Sequence, residues 1–152
     1  MTPAFPVVVF DLDGTLTAPG TTRPAPGAVA LVEALHRDGT ALALATSAST
    51  RVARRVLDEL GVGGSFAHVA GLDGGGDKDA AVAEALLGLG LADAPTGSLL
   101  VGDGPVDMHA AITHGLRPVG AGWGGSSADE LRAAGATVVL GHPDELWSLR
   151  AS

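Results

Sequence analysis

Short apolar runs alternate along this chain with longer stretches whose apolar positions recur every three or four residues. The first run, Val7-Val8-Val9-Phe10, is continuous, the pattern of a strand buried on both faces. A turn rich in Pro, Gly and Thr occupies residues 18–26. Val29, Leu31, Val32 and Leu35 then follow at helical spacing as far as Gly39, a helix-ending residue. Residues 41–45 predict a second strand, and residues 49–60 a second helix stopped by Gly61. The same reading gives strands over 66–70, 98–101, 118–121 and 137–140, and helices over 79–89, 106–114, 127–134 and 144–150. Strands alternating with helices imply βαβ units, right-handed crossovers and an α/β fold with a mostly parallel sheet covered by helices on both faces.

Composition narrows the function classes. The chain has 152 residues, enough for a single domain with its own core, expected to span 1–152. It has no cysteine, so disulfides, thiolate catalysis and zinc–thiolate sites are excluded. Nine Lys and Arg stand against 17 Asp and Glu, a formal charge of −8 that repels nucleic-acid backbones and anionic membranes. The densest basic cluster, Arg51, Arg54 and Arg55, is too small to reverse that, and aromatics for stacking bases make up only 3%. No apolar run approaches the ~18 residues of a membrane span. Met1-Thr2-Pro3-Ala4 lacks the basic patch of a signal peptide, so a cytoplasmic location is expected.

In open parallel sheets, ligands sit beyond the carboxyl ends of the strands. The polar residues there are Asp11 and Asp13 after the first run, Thr46 and Ser47 after the second, and Asp103 and Asp107 after the fourth. The loop after the third leads to Lys78. Asp11 and Asp13 are two residues apart, so persisting extended geometry would point both to one side. Four acids at one edge repel unless a cation holds them, and an all-oxygen set favours magnesium. Taken singly, each residue has an ordinary alternative. A lone Asp after a strand forms turns or caps helices, Asp107 fits the first turn of its helix, and Thr46 or Ser47 would suit a cap of the second helix. Lys78, the single lysine, is flanked by Asp77 and Asp79 and reads equally as a solvated charge. His109 and His114 are five residues apart, which is not one helical face, so helix-surface roles suit them better than a metal pair. Trp123 and Trp147 read as packing residues, with Trp123 near enough to the sheet edge to reach a ligand.

Together these segments resemble the motifs of haloacid dehalogenase superfamily phosphatases. Val7-Val8-Val9-Phe10-Asp11-Leu12-Asp13-Gly14-Thr15-Leu16 is similar to the first motif and Leu42-Ala43-Leu44-Ala45-Thr46-Ser47 to the second. Lys78 stands for the third, and Leu99-Leu100-Val101-Gly102-Asp103-Gly104-Pro105-Val106-Asp107 for the fourth. The tail around Val119–Gly124 and Ala134–Ala136 resembles the phosphoglycolate phosphatase-like branch. The resemblance implies a Rossmann-like three-layer sandwich and an Mg2+-dependent phosphatase. Asp11 would be the nucleophile that becomes an aspartyl phosphate, and Asp13 the general acid and then base. Asp11, the Asp13 carbonyl, Asp103 and Asp107 would hold Mg2+. Gly14, Thr15, Thr46, Ser47 and Lys78 would bind the substrate, with Thr46 and Lys78 aiding catalysis. Unlike many relatives, this chain follows Lys78 with Asp79 rather than Pro.

Many relatives insert a cap between the first and second motifs or between the second and third. Here about thirty residues fill each interval, already taken by one or two elements, so a capless member is expected. An open site implies a small phosphorylated substrate with a neighbouring subunit as lid, or a phosphoprotein that closes the site itself. Residues 18–26, 71–77 and 122–126 are the candidate specificity segments, each equally readable as a plain connection. Dehalogenation needs neither metal nor Asp13, and a phosphomutase would usually need a cap. A receiver-like module carries its phosphoacceptor after a middle strand rather than the first. A non-catalytic phosphate-binding role leaves the filled catalytic positions unused.

Overall fold

The computed structural model describes residues 2–150. Its strands are β1 (Val7–Phe10), β2 (Ala41–Ala45), β3 (His68–Ala70), β4 (Leu99–Gly102), β5 (Arg117–Ala121) and β6 (Val138–Leu140). Its α-helices are α1 (Ala28–Asp38), α2 (Thr50–Glu59), α3 (Lys78–Gly88), α4 (Pro105–Thr113) and α5 (Ala128–Ala133). The six strands form one sheet in the order β3-β2-β1-β4-β5-β6, with every pair parallel. The expected α/β architecture is therefore present, with a sheet that is wholly parallel.

Alternation along the strands splits the core into two layers. Val8, Phe10, Leu42, Leu44, Leu99 and Val101 face Leu31, Val32 and Leu35 of α1 and Ala53, Val56 and Leu57 of α2. Val7, Val9, Ala43, Ala45 and Leu100 face α3, α4 and α5 through Val82, Leu86, Met108 and Leu131. Both faces of β1 are buried, which is why its sequence reads as an unbroken apolar run. No helix among the described residues is long and apolar enough to cross a membrane.

Two elements differ from the pattern reading. Gly63–Ser65 forms a 3-10 turn, and β3 begins only at His68, so Phe66 packs in the core ahead of the strand. The closing segment Pro143–Leu149 is 3-10 rather than α. In a piece this short the apolar spacing barely separates the two helix types, and the His142 side chain accepts from the Asp144 N–H to set the tight start.

The order of strands reverses between β1 and β4, which lie side by side yet lead away to opposite halves of the sheet. Such a reversal opens a crevice at the carboxyl edge, where the connections diverge. The intervals between Asp13 and Thr46 and between Ser47 and Lys78 contain only a turn, the named helices and strands, and short loops. Neither carries an inserted cap.

Candidate active site

Each acid is delivered by the end of a central strand. The Asp11 N–H donates to the Val101 carbonyl at 3.0 Å, continuing the β1–β4 ladder by one step. Asp11 and Asp103 therefore emerge beside one another at the crevice. Asp107 sits one turn further on, in the first turn of α4. Its Oδ2 accepts the Gly104 N–H at 3.1 Å, so it does cap its helix, while its Oδ1 faces Lys78 at 2.8 Å. Asp107 thus caps its helix and pairs with Lys78 at the same time. Carboxylate oxygens of Asp11, Asp103 and Asp107 all lie within 4.8 Å of one another.

Lys78 is the first residue of α3 and is turned inward, its side chain only 9% exposed. Its Nζ lies 2.6 Å from Asp11 Oδ1 and 2.8 Å from Asp107 Oδ1. Its neighbours are used otherwise: Asp77 caps α3 by accepting the Ala80 N–H at 3.0 Å, and Asp79 faces His114 at 3.1 Å. Burial, followed by the nearby Asp107 carboxylate, pushes the Asp11 carboxyl up to about 8 despite the opposing pull of Lys78. Burial acts to lower the Lys78 pKa, but Asp11 and Asp107 outweigh it and hold the ammonium above its ordinary value. One ammonium does not balance three close carboxylates.

Asp103 is held from several sides. Gly125 donates its N–H to Asp103 Oδ2 at 2.9 Å, and the Thr15 hydroxyl donates to Oδ1 at 3.4 Å. Gly14, with φ of +77°, passes so close that a Cβ there would overlap the Asp103 carboxylate. A Cβ on Gly124 would strike both Asp103 and the Gly14 carbonyl. Trp123 ties the same loop down by donating Nε1–H to the Thr15 carbonyl at 2.8 Å. Gly14 and Thr15 thus pack behind the site, against Asp103, rather than lining its cleft. The segment 122–126, a candidate for specificity, packs there too.

The cleft itself has a volume of about 450 Å3 and is lined by Asp11, Asp13, Thr46, Ser47, Lys78, Asp103 and Asp107, with Leu72, Gly76, Asp77, Gly104 and Val106 at its walls. Thr46 is buried, and its Oγ accepts the Ala48 N–H at 3.2 Å. It does not cap α2; Ser49 does, accepting from Val52 at 3.2 Å. Asp13 is exposed, with Oδ1 accepting the Gly20 N–H at 3.0 Å, so the 18–26 turn anchors it. Val106, 61% exposed, forms an apolar rim that the sequence pattern did not single out. A larger concavity of about 890 Å3 lies along α2 and contains none of these acids. Size alone does not locate the chemistry here; convergent charge does.

Within the described residues, the acid cluster suits a divalent cation. The donors are all oxygen, mutually close and partly buried, and three carboxylates against one ammonium leave a local excess of negative charge.

The chain belongs to the haloacid dehalogenase-like hydrolases, whose family model matches residues 18–115. A curated relative from Mycobacterium tuberculosis, the tyrosine-protein kinase PtkA, is 35% identical over 112 residues, or 72% of this chain. The match spans only 38% of that relative's length. Among solved structures, a predicted phosphatase from Clostridium acetobutylicum superposes with a TM-score of 0.84 at 21% identity, covering 95% of this chain and 97% of that one. A predicted phosphoglycolate phosphatase from Haemophilus somnus gives 0.81 at 18% identity, with 96% and 98% covered. Both likenesses are of fold.

Proposed function

We propose that this chain is an Mg2+-dependent phosphatase that hydrolyses phosphate monoesters through an aspartyl phosphate on Asp11. The observation that carries this reading is the buried Asp11–Lys78–Asp107 array beside Asp103 at the sheet reversal. Asp11, Asp103 and Asp107 would hold the cation with the Asp13 carbonyl, and the bound cation would supply charge neutralisation. Lys78 engages Asp11 Oδ1, which leaves Oδ2 free of that ammonium. An Asp11 carboxylate oxygen attacks phosphorus, and the bond from phosphorus to the ester oxygen breaks. Asp13 delivers a proton to the departing alcohol. Asp13, now a carboxylate, takes a proton from water as that water attacks phosphorus, releasing phosphate and restoring Asp11. Thr46 and Ser47 donate to phosphoryl oxygens, and Lys78 offsets the charge gathered there.

Phosphate release from a panel of esters, with and without Mg2+, tests this reading. We expect metal-dependent turnover in the wild type and a loss of at least 10^3-fold in Asp11→Asn, because the amide is no nucleophile. Circular dichroism and melting checks that the variant is folded. Comparable turnover in a folded variant would remove Asp11 from its assigned role.

A second reading draws on the 35% identity to a protein named as a tyrosine kinase. Phosphoryl transfer to a protein hydroxyl would use the same acid cluster. These 152 residues contain no tyrosine, so the acceptor tyrosine would lie outside them. Labelled ATP offered with a tyrosine-containing acceptor protein separates the two activities.

A further inference from the structure

The arginines of α2 are unused by the site described above. Arg51, Arg54 and Arg55 are exposed, lie on one helical stripe, and line the 890 Å3 groove with Thr50, Asp58, Glu59 and Asp73. Among the described residues none of the three guanidinium groups enters an ion pair. Of the groove's three carboxylates, Asp73 is clasped by Thr50, while Asp58 and Glu59 lie at the far end of α2 from the cleft. Asp73 accepts from the Thr50 N–H at 2.8 Å and from its hydroxyl at 2.6 Å. The three unpaired arginines stand between the cleft on one side and Asp58 and Glu59 on the other, a local basic stretch on a chain whose net charge is −8.

The groove also adjoins the cleft. α2 begins at the carboxyl edge of β2, just after Thr46 and Ser47, and runs away from the site. Asp73, clasped to Thr50, follows directly on Leu72, a wall of the cleft. A ligand leaving the cleft over Leu72 and Ser47 therefore meets Arg51 first. Arg51 and Arg55 are separated by one helical turn, about 6 Å along the axis. Alternate side chains of an extended peptide repeat every ~7 Å, close to that spacing. No cap covers the route.

We propose, building on the phosphatase reading, that the Arg51–Arg54–Arg55 face docks an acidic segment of a phosphoprotein substrate whose phosphorylated residue enters the cleft. The arginines would grip carboxylates of the segment, bidentate where the fork allows, and so supply the substrate selection that a cap supplies elsewhere.

The test compares kcat/KM for a phosphopeptide with glutamates two and four residues from the phosphorylated position, for a neutral-flanked phosphopeptide, and for p-nitrophenyl phosphate. We expect the acidic peptide to be preferred over the neutral one by roughly tenfold at low salt, with the preference shrinking as salt rises. In the Arg51→Ala, Arg54→Ala, Arg55→Ala triple variant the ratio of acidic peptide to p-nitrophenyl phosphate should fall by a similar factor. Arg51→Glu with Arg55→Glu should transfer the preference to a lysine-flanked peptide. No preference in the wild type, or one that survives the triple variant, overturns the docking surface. If the wild type hydrolyses nothing, the phosphatase reading fails by itself. Docking is then read by fluorescence anisotropy of the labelled acidic peptide: binding weakened in the triple variant upholds it, and absent or equal binding overturns it.

Discussion

At the scale of single residues, Lys78 decides how the acid cluster survives burial. Its ammonium bridges Asp11 and Asp107, and among the described residues no other cationic side chain pairs with either. In Lys78→Met the Asp11 and Asp107 carboxyls lose their shared counter-charge, and Asp11 loses the pull that opposes its raised pKa. Breaking one member of a buried ionic group typically costs about 3–5 kcal/mol. We expect a loss near the lower end at pH 8, measured by urea unfolding without metal. At pH 5 the loss should be smaller, because Asp11 then takes up a proton. Lys78→Arg should not restore the wild type, since a planar fork does not fit a niche shaped for a compact ammonium. In the sequence this residue was marked by its place after the third strand and by the family motif, but not by its own surroundings. Asp77-Lys78-Asp79 looks like a solvated charge run, and inward orientation follows from α3 starting at Lys78, a tertiary matter that local charge does not encode.

The strands and helices were legible at the level of elements because their apolar spacing is set by the faces they bury. The two 3-10 segments escaped, since a single turn or two of apolar residues does not fix the hydrogen-bond pattern. More was hidden behind the site than within it. Asp103 could be picked out because it follows a strand, but its supports, Thr15, Trp123, Gly124 and Gly125, come from the ends of β1 and β5. Only the order of strands brings them to it. This gives the loop after β5 a job that its glycines alone do not advertise. In Gly124→Ala the new methyl would meet Asp103 and the Gly14 carbonyl, both held by backbone. We expect about 1–3 kcal/mol of destabilisation, roughly 2–10 °C in Tm, together with weaker Mg2+ binding by isothermal titration. Gly125→Ala meets only the far end of the Asp103 side chain, at 3.3 Å, and should cost less. Equal losses would mean that the loop tolerates a methyl anywhere and does not shape Asp103.

For the molecule as a whole, Asp11 links stability to pH, and under the proposed function it would link both to metal. Its carboxyl is raised to about 8 in the fold against an ordinary value near 3.8. Between those values the folded protein binds a proton at Asp11 that the unfolded chain releases, so without metal this group makes stability fall as pH rises through that window. Lys78 acts in the opposite region: its raised pKa contributes stability that is complete below 10.5 and lost only above it. A divalent cation held at the cluster, as proposed, would compete with the Asp11 proton and would bind the fold but not the dispersed acids of the unfolded chain. The difference in Tm between excess Mg2+ and EDTA should therefore grow from pH 5 to about pH 8 and level off beyond. A net charge of −8 gives any salt some stabilising effect through screening, so sodium chloride at matched ionic strength is the necessary control. A Tm gain that sodium chloride reproduces would reduce the metal effect to screening. A gain specific to Mg2+ but flat with pH would place the cation away from Asp11. A gain that is specific, rises with pH and disappears in Asp103→Asn would tie metal, proton and fold to the one crevice where β1 and β4 part.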